Sequence, residues 1–169
     1  MKSKIGLKLQ FANTALVAAL AVAGSAVAQT LPKEGSYDFT TCFSGVSNLI
    51  AFSKTQFAYS YEMLGPQQSN PPGGMFDKMS VRCVGMNTSF GGINTSNVAC
   101  EAIDRDGDKR LTNFTLGKDG TVIKEVIAGT GKYDGMVSEG QTIQLGPFPT
   151  VKAGTFQSCS RQTGTYKMK

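Results

Sequence analysis

Beyond its first 28 residues the chain is organised by alternation. Phe57, Tyr59, Tyr61 and Met63 fall on one side of a two-residue repeat, and Ala58, Ser60 and Glu62 fall on the other. Successive side chains of a strand point to opposite faces, so this run predicts a half-buried strand with one aromatic face. Tyr37, Phe39 and Phe43 predict another strand near Cys42. Shorter strands fit Val81 to Met86, Val98 to Ile103, Leu111 to Leu116 and Thr121 to Ala128, and two more fit Met136 to Leu145 and Thr155 to Tyr166. Helical spacing is scarce throughout this region.

Turn residues separate these runs. Asp106-Gly107 and Asp119-Gly120 predict hairpins, because glycine accepts the positive φ of tight turns. Gly129-Thr130-Gly131 and Gly146-Pro147 break the chain again. Gly65 to Gly74 reads as a long loop, and Asn87 to Asn97, which contains NTS twice, as a second polar loop. About eight short strands joined by tight turns predict an all-β fold, an antiparallel eight-stranded up-and-down barrel occupying one domain, residues 29–169.

The first residues carry a different signal. Lys2, Lys4 and Lys8 precede an apolar run from Thr14 to Ala23, and Ala26-Val27-Ala28 supplies a small-x-small cleavage pattern. This is the layout of a secretory signal peptide over residues 1–28, cut between Ala28 and Gln29. It predicts an exported protein, periplasmic or secreted. No later segment is long and apolar enough for a membrane-spanning helix. Export also changes the charge. The full chain carries 17 basic and 12 acidic residues, and three of the basic ones lie in the signal, so the balance after cleavage is 14 − 12 = +2. That excess is too small to predict a nucleic-acid partner.

Cys42, Cys83, Cys100 and Cys159 all follow the signal, and an even number in an oxidising compartment predicts two disulfides. Four cysteines allow three pairings. Barrel closure favours one of them, because first and last strands become neighbours. Cys42 would then bridge to Cys159, and Cys83 to Cys100 across a hairpin.

Three segments, CEAIDRDGDK from Cys100, GTGKYDG from Gly129 and CSRQTGTYK from Cys159, occur in this order. The second half of the chain resembles a group of exported bacterial proteins with an allene oxide cyclase-like barrel. That barrel is similar to the lipocalin fold, a calycin-like arrangement, and plant dirigent proteins share the architecture and a similar GTG turn. The resemblance implies the eight-stranded barrel. It carries no functional residue of the plant proteins onto a position here, so it implies no activity. The chain has no Trp, whereas members of the group often carry one before the GTG turn.

Candidate chemistry is narrowed by the absence of histidine, which removes His-dependent triads and His-held metals. Asp104, Asp106 and Asp108 crowd one turn and form a weak calcium candidate. Lys109 stands where an EF-hand loop needs Gly, and Thr115 where it needs Glu, so a solvated hairpin tip is the expected role. Paired-carboxylate catalysis would need Glu62, Glu101, Glu125 or Glu139 to face the lumen, and alternation points them outward. Met75, Met79 and Met86 are too irregularly spaced to predict a copper site. Asn87, Asn94 and Asn113 fit N-x-[ST] and are read as polar loop residues. No cofactor is expected. The row Phe57, Tyr59 and Tyr61 reads either as core packing or as the wall of a ligand cavity. The leading expectation is an exported, non-enzymatic barrel that binds a small apolar molecule or a protein partner. The alternatives are an isomerase or cyclase-like enzyme using the lumen, and a structural or surface-interaction protein with a filled core.

Overall fold

The computed structural model describes residues 32–169. The predicted signal peptide and the Ala28–Gln29 cleavage site lie outside the described residues. Eight strands follow one another: β1 (Glu34–Ser53), β2 (Gln56–Ser69), β3 (Met79–Phe90), β4 (Ile93–Ile103), β5 (Lys109–Leu116), β6 (Val122–Gly129), β7 (Val137–Leu145) and β8 (Thr155–Lys167). A 3-10 turn, Gly131–Tyr133, sits between β6 and β7. Neighbours pair antiparallel in the order β6-β5-β4-β3-β2-β1-β8-β7. The first strand therefore pairs with the last, and the sheet curls into a nearly closed barrel. The one gap is between β6 and β7, which lie side by side without a backbone ladder.

Both expected loops differ from the reading of the sequence. β2 runs on to Ser69, and the true loop starts at Asn70. Gln67 and Ser69 keep the inward phase of Tyr59 and Tyr61, and both are buried. The Gln67 amide receives a hydrogen bond from Thr41 and donates one to the Phe76 carbonyl. Asn87 to Asn97 is a hairpin rather than a loop. Its strands meet at Gly91 and Gly92, whose φ values of 61° and 86° make the turn. Thr88 and Thr95 face each other across it and hydrogen-bond through their hydroxyls. Polar residues here build a strand pair that hydrophobic alternation alone does not reveal.

The core is gathered toward one end of the barrel. Phe76, from the β2–β3 loop, and Tyr133 and Met136, from the β6–β7 connection, close that end and are all buried. Phe76 packs its ring against Tyr37, Phe39, Tyr133 and Tyr166 at centroid distances of 5.4 to 6.0 Å. At the opposite end the hairpin tips leave Leu49, Ile50, Phe52, Phe90 and Ile93 exposed. One end is plugged by aromatic rings, and the other carries exposed apolar hairpin tips.

Two disulfides join Cys42 to Cys159 and Cys83 to Cys100, each between residues directly opposite on adjacent strands. Cys83 and Cys100 are buried inside, while Cys42 is exposed on the outer wall. In the chain-entropy model, closing a separation of 17 positions contributes about 3 kcal/mol. Closing one of 117 contributes about 5 kcal/mol.

Candidate ligand-binding lumen

Phe57, Tyr59 and Tyr61 sit on β2 with their rings in a row, 6.3 and 5.8 Å between centroids. They face inward in the open half and are only half-buried. Tyr61 meets Phe156 of β8 edge-on at 5.9 Å. Burial lifts the Tyr61 hydroxyl to about 12. Asn87 of β3 donates to the Tyr59 hydroxyl.

Glycines opposite aromatic residues give these rings room. Gly45 is the cross-strand partner of Phe156, Gly85 of Tyr61, Gly35 of Tyr166, and Gly164 of Tyr37. A Cβ built on Gly45 would come within 2.3 Å of the Phe156 ring, and one on Gly85 within 2.7 Å of Tyr61. The rings thus lie flat against bare backbone, an aromatic–glycine pairing that pins strand register. It also draws the rings toward the wall and away from the barrel axis.

Deeper in, the lumen is cationic. Arg110 on β5 and Lys124 on β6 take the inward phase of their strands. Arg110 is 5% exposed and lies over the Phe76 ring at 4.3 Å and the Phe39 ring at 5.7 Å. Its Nε and Nη1 are buried without a hydrogen-bond partner. Burial lowers it to about 10, which leaves it protonated at neutral pH. Lys124 Nζ sits 4.6 Å over the Tyr37 ring and donates to the Tyr37 hydroxyl at 2.9 Å. Burial first, and then repulsion from Arg110, lower Lys124 to about 7. The two cations therefore share one aromatic cluster, built from Tyr37, Phe39 and Phe76.

Tyr37 also links the two sides of the gap. Its hydroxyl donates to the Glu139 carbonyl of β7 at 3.1 Å while accepting from Lys124 of β6. Gly140 and Gly164, paired with each other, leave the space through which the phenol reaches β7. Where backbone pairing stops, the chain Lys124–Tyr37–Glu139 spans the seam. Two outer clefts border this region at the plugged end. One, of about 490 Å³, is lined in part by Ser138, and the other, of about 420 Å³, in part by Tyr37.

The remaining sequence candidates separate in the structure. Asp104, Asp106 and Asp108 converge on the ammonium of Lys132, at 2.8, 2.6 and 3.9 Å. Tyr133 donates to Asp104 at 3.0 Å, and the backbone N–H of Lys132 donates to Asp108. Burial works to raise the Asp104 carboxyl, but the Lys132 ammonium, the Asp106 N–H and the Tyr133 hydroxyl outweigh it and hold it low. The place a cation would take is filled by the protein's own lysine, and no acidic or cysteine cluster suited to a metal occurs among the described residues. The contact also ties GTGKYDG to DRDGD. Glu62 and Glu101 lie on the outer wall and pair with Arg82 and Lys109, and Glu125 and Glu139 are exposed. Met79 is buried and Met86 points outward, so the methionines do not converge.

Sequence reasoning singled out the aromatic row and missed the cation pair. The signal was present. Arg110 is in two-residue phase with Phe114, and Lys124 with Val126. No protein-family model, curated protein or solved structure matches the chain.

Proposed function

We propose that this chain is an exported, non-enzymatic barrel that takes a small, largely apolar molecule into the open half of its lumen. The observation that carries this reading is the inward aromatic row Phe57–Tyr59–Tyr61, half-buried beside Phe156, in a barrel sealed at its other end. A mostly apolar concavity with a few fixed polar groups is the usual form of a small-molecule site. Export agrees with the use of all four cysteines in disulfides. Kinship with the allene oxide cyclase-like barrels is part of the proposal, supported by the strand order and by the docking of GTGKYDG onto DRDGD. Among the described residues no helix is long and apolar enough to cross a membrane.

A second reading, a protein partner at the mouth, is favoured by the exposed tips Leu49, Ile50, Phe52, Phe90 and Ile93. Native mass spectrometry of protein purified from its own source separates the two. A small-molecule adduct lost on denaturation is the expected result. A clean unliganded mass, together with no binding of the uncharged probe N-phenyl-1-naphthylamine, would overturn lumen binding.

A further inference from the structure

The seven ion pairs among the described residues involve Arg82, Arg105, Lys109, Lys132 and Arg161 as cations. Arg110 and Lys124 belong to none of them. Two inward-facing cations of the barrel, Arg110 buried and Lys124 half-buried, thus have no carboxylate partner. Burying an unpaired charge is costly, and the cost falls only when the charge meets a counterion and its donors meet acceptors. The Phe76 ring face returns part of this for Arg110. A ring face does not accept the in-plane hydrogen bonds of Nε and Nη1, and both remain unpartnered.

We propose that Arg110 and Lys124 form the anion-recognising floor of the lumen, and that its ligand is a carboxylate carried on an aromatic or apolar body. This rests on the lumen-binding reading above and adds the ligand's chemical class. A carboxylate accepts charge-assisted hydrogen bonds from a guanidinium, and Nε and Nη1 of Arg110 each have a donor left to give. Tyr37 spends its hydrogen on the Glu139 carbonyl, so the phenol fixes Lys124 rather than competing for the anion. Ser138 Oγ, a further buried hydroxyl, lies beside the Tyr37 phenol on the strand that Tyr37 reaches. At neutral pH the Lys124 amine is about half protonated, and an anion beside it would draw it to the charged form. The body of the ligand would lie toward the open end, against Phe114, Phe156 and Tyr61, which are half-buried there.

A matched pair of probes tests this, 4-phenylbutyrate against 4-phenyl-1-butanol, each measured by calorimetry and by displacement of N-phenyl-1-naphthylamine. The wild-type protein is expected to bind the carboxylate at least about tenfold more tightly than the alcohol. Lys124→Met should lose most of that preference while still binding the neutral probe and the alcohol. Arg110→Gln should abolish the preference. If Arg110→Gln does not fold by circular dichroism, the wild-type and Lys124→Met comparison decides alone. Equal affinity for acid and alcohol in the wild type, with the neutral probe still bound, overturns the anion site and leaves lumen binding standing. Failure of the neutral probe and both ligands overturns the two readings together. Acetate that competes as well as 4-phenylbutyrate would identify a free small anion and overturn the amphipathic ligand.

Discussion

Lys124 holds its amine against a phenol and an arginine, with no carboxylate among the groups facing it. Arg110 comes from β5 and Tyr37 from β1. Its folded value of about 7 lies below the ordinary lysine value of 10.5. Between these two values the unfolded chain binds a proton that the folded chain does not. The contribution of this group to stability therefore rises with pH across that window and is lowest below about 7, where both states are charged. The slope from this one group approaches ~1.4 kcal/mol per pH unit. Urea unfolding at several pH values from 7 to 9.5 should show the rise in the wild type and a flatter profile in Lys124→Met. Identical profiles would mean that the amine is not desolvated as described. Only the two-residue phase with Phe114 and Val126 marks these cations in the sequence, because Arg110 follows Lys109 and Lys124 precedes Glu125, and adjacent charges read as a solvent face. On β6 the apolar Ile123 and Ile127 are the exposed ones, at 54% and 52%, and Lys124 points inward. Hydrophobicity gives the wrong phase for this strand.

At the scale of the strands, the aromatic–glycine pairs set how closely neighbours approach. Gly164 of β8 is the sharpest case. A Cβ there would lie 2.0 Å from the Glu139 carbonyl oxygen and 2.7 Å from the Tyr37 hydroxyl. Backbone cannot yield as a side-chain tip can, so Gly164→Ala should push β7 from β8 and move Tyr37 off its carbonyl. The expected loss is about 3 kcal/mol, which a thermal melt should register as a fall of roughly 10 °C. An unchanged melt would remove the wall contact from the account. The positions of the strands were legible wherever apolar and aromatic residues alternated, as in Phe57 to Met63, and Asp-Gly marked two of the hairpins. The arm from Asn87 to Asn97 was not legible, because threonine and asparagine hold it through hydroxyl and amide contacts. The end of β2 was hidden for a related reason. Gln67 is buried there by bonds to Phe76 and Thr41 that come from distant parts of the chain.

Across the whole molecule the two ends differ in kind. The plugged end carries the aromatic cluster, Arg110 and the Lys132 contact that locks two loops together. The open end carries apolar tips and half-buried rings. This asymmetry was not readable from the sequence, since the plug depends on Phe76, which lies in a stretch rich in Gly and Pro. Phe76 adopts the left-handed backbone region, with φ of 68°, a conformation few non-glycine residues take. It is held there by the Gln67 bond and by four neighbouring rings.

The edges of the sheet are not its first and last strands. β1 and β8 meet in the middle of the sheet, where Met168 donates to the Lys33 carbonyl at 2.6 Å and Cys42 is bridged to Cys159. The two edge strands, β6 and β7, are neighbours in the sequence instead. A circular permutant that joins Lys169 to Pro32 through a short linker and opens at Gly135 would follow the sheet from edge to edge, strand by strand. Both disulfides would persist, and the Cys42–Cys159 bridge would change from closing almost the whole chain to closing a short loop. Such a permutant should fold, and its loss of stability on reduction should be smaller than that of the natural order, as urea unfolding with and without reductant would show.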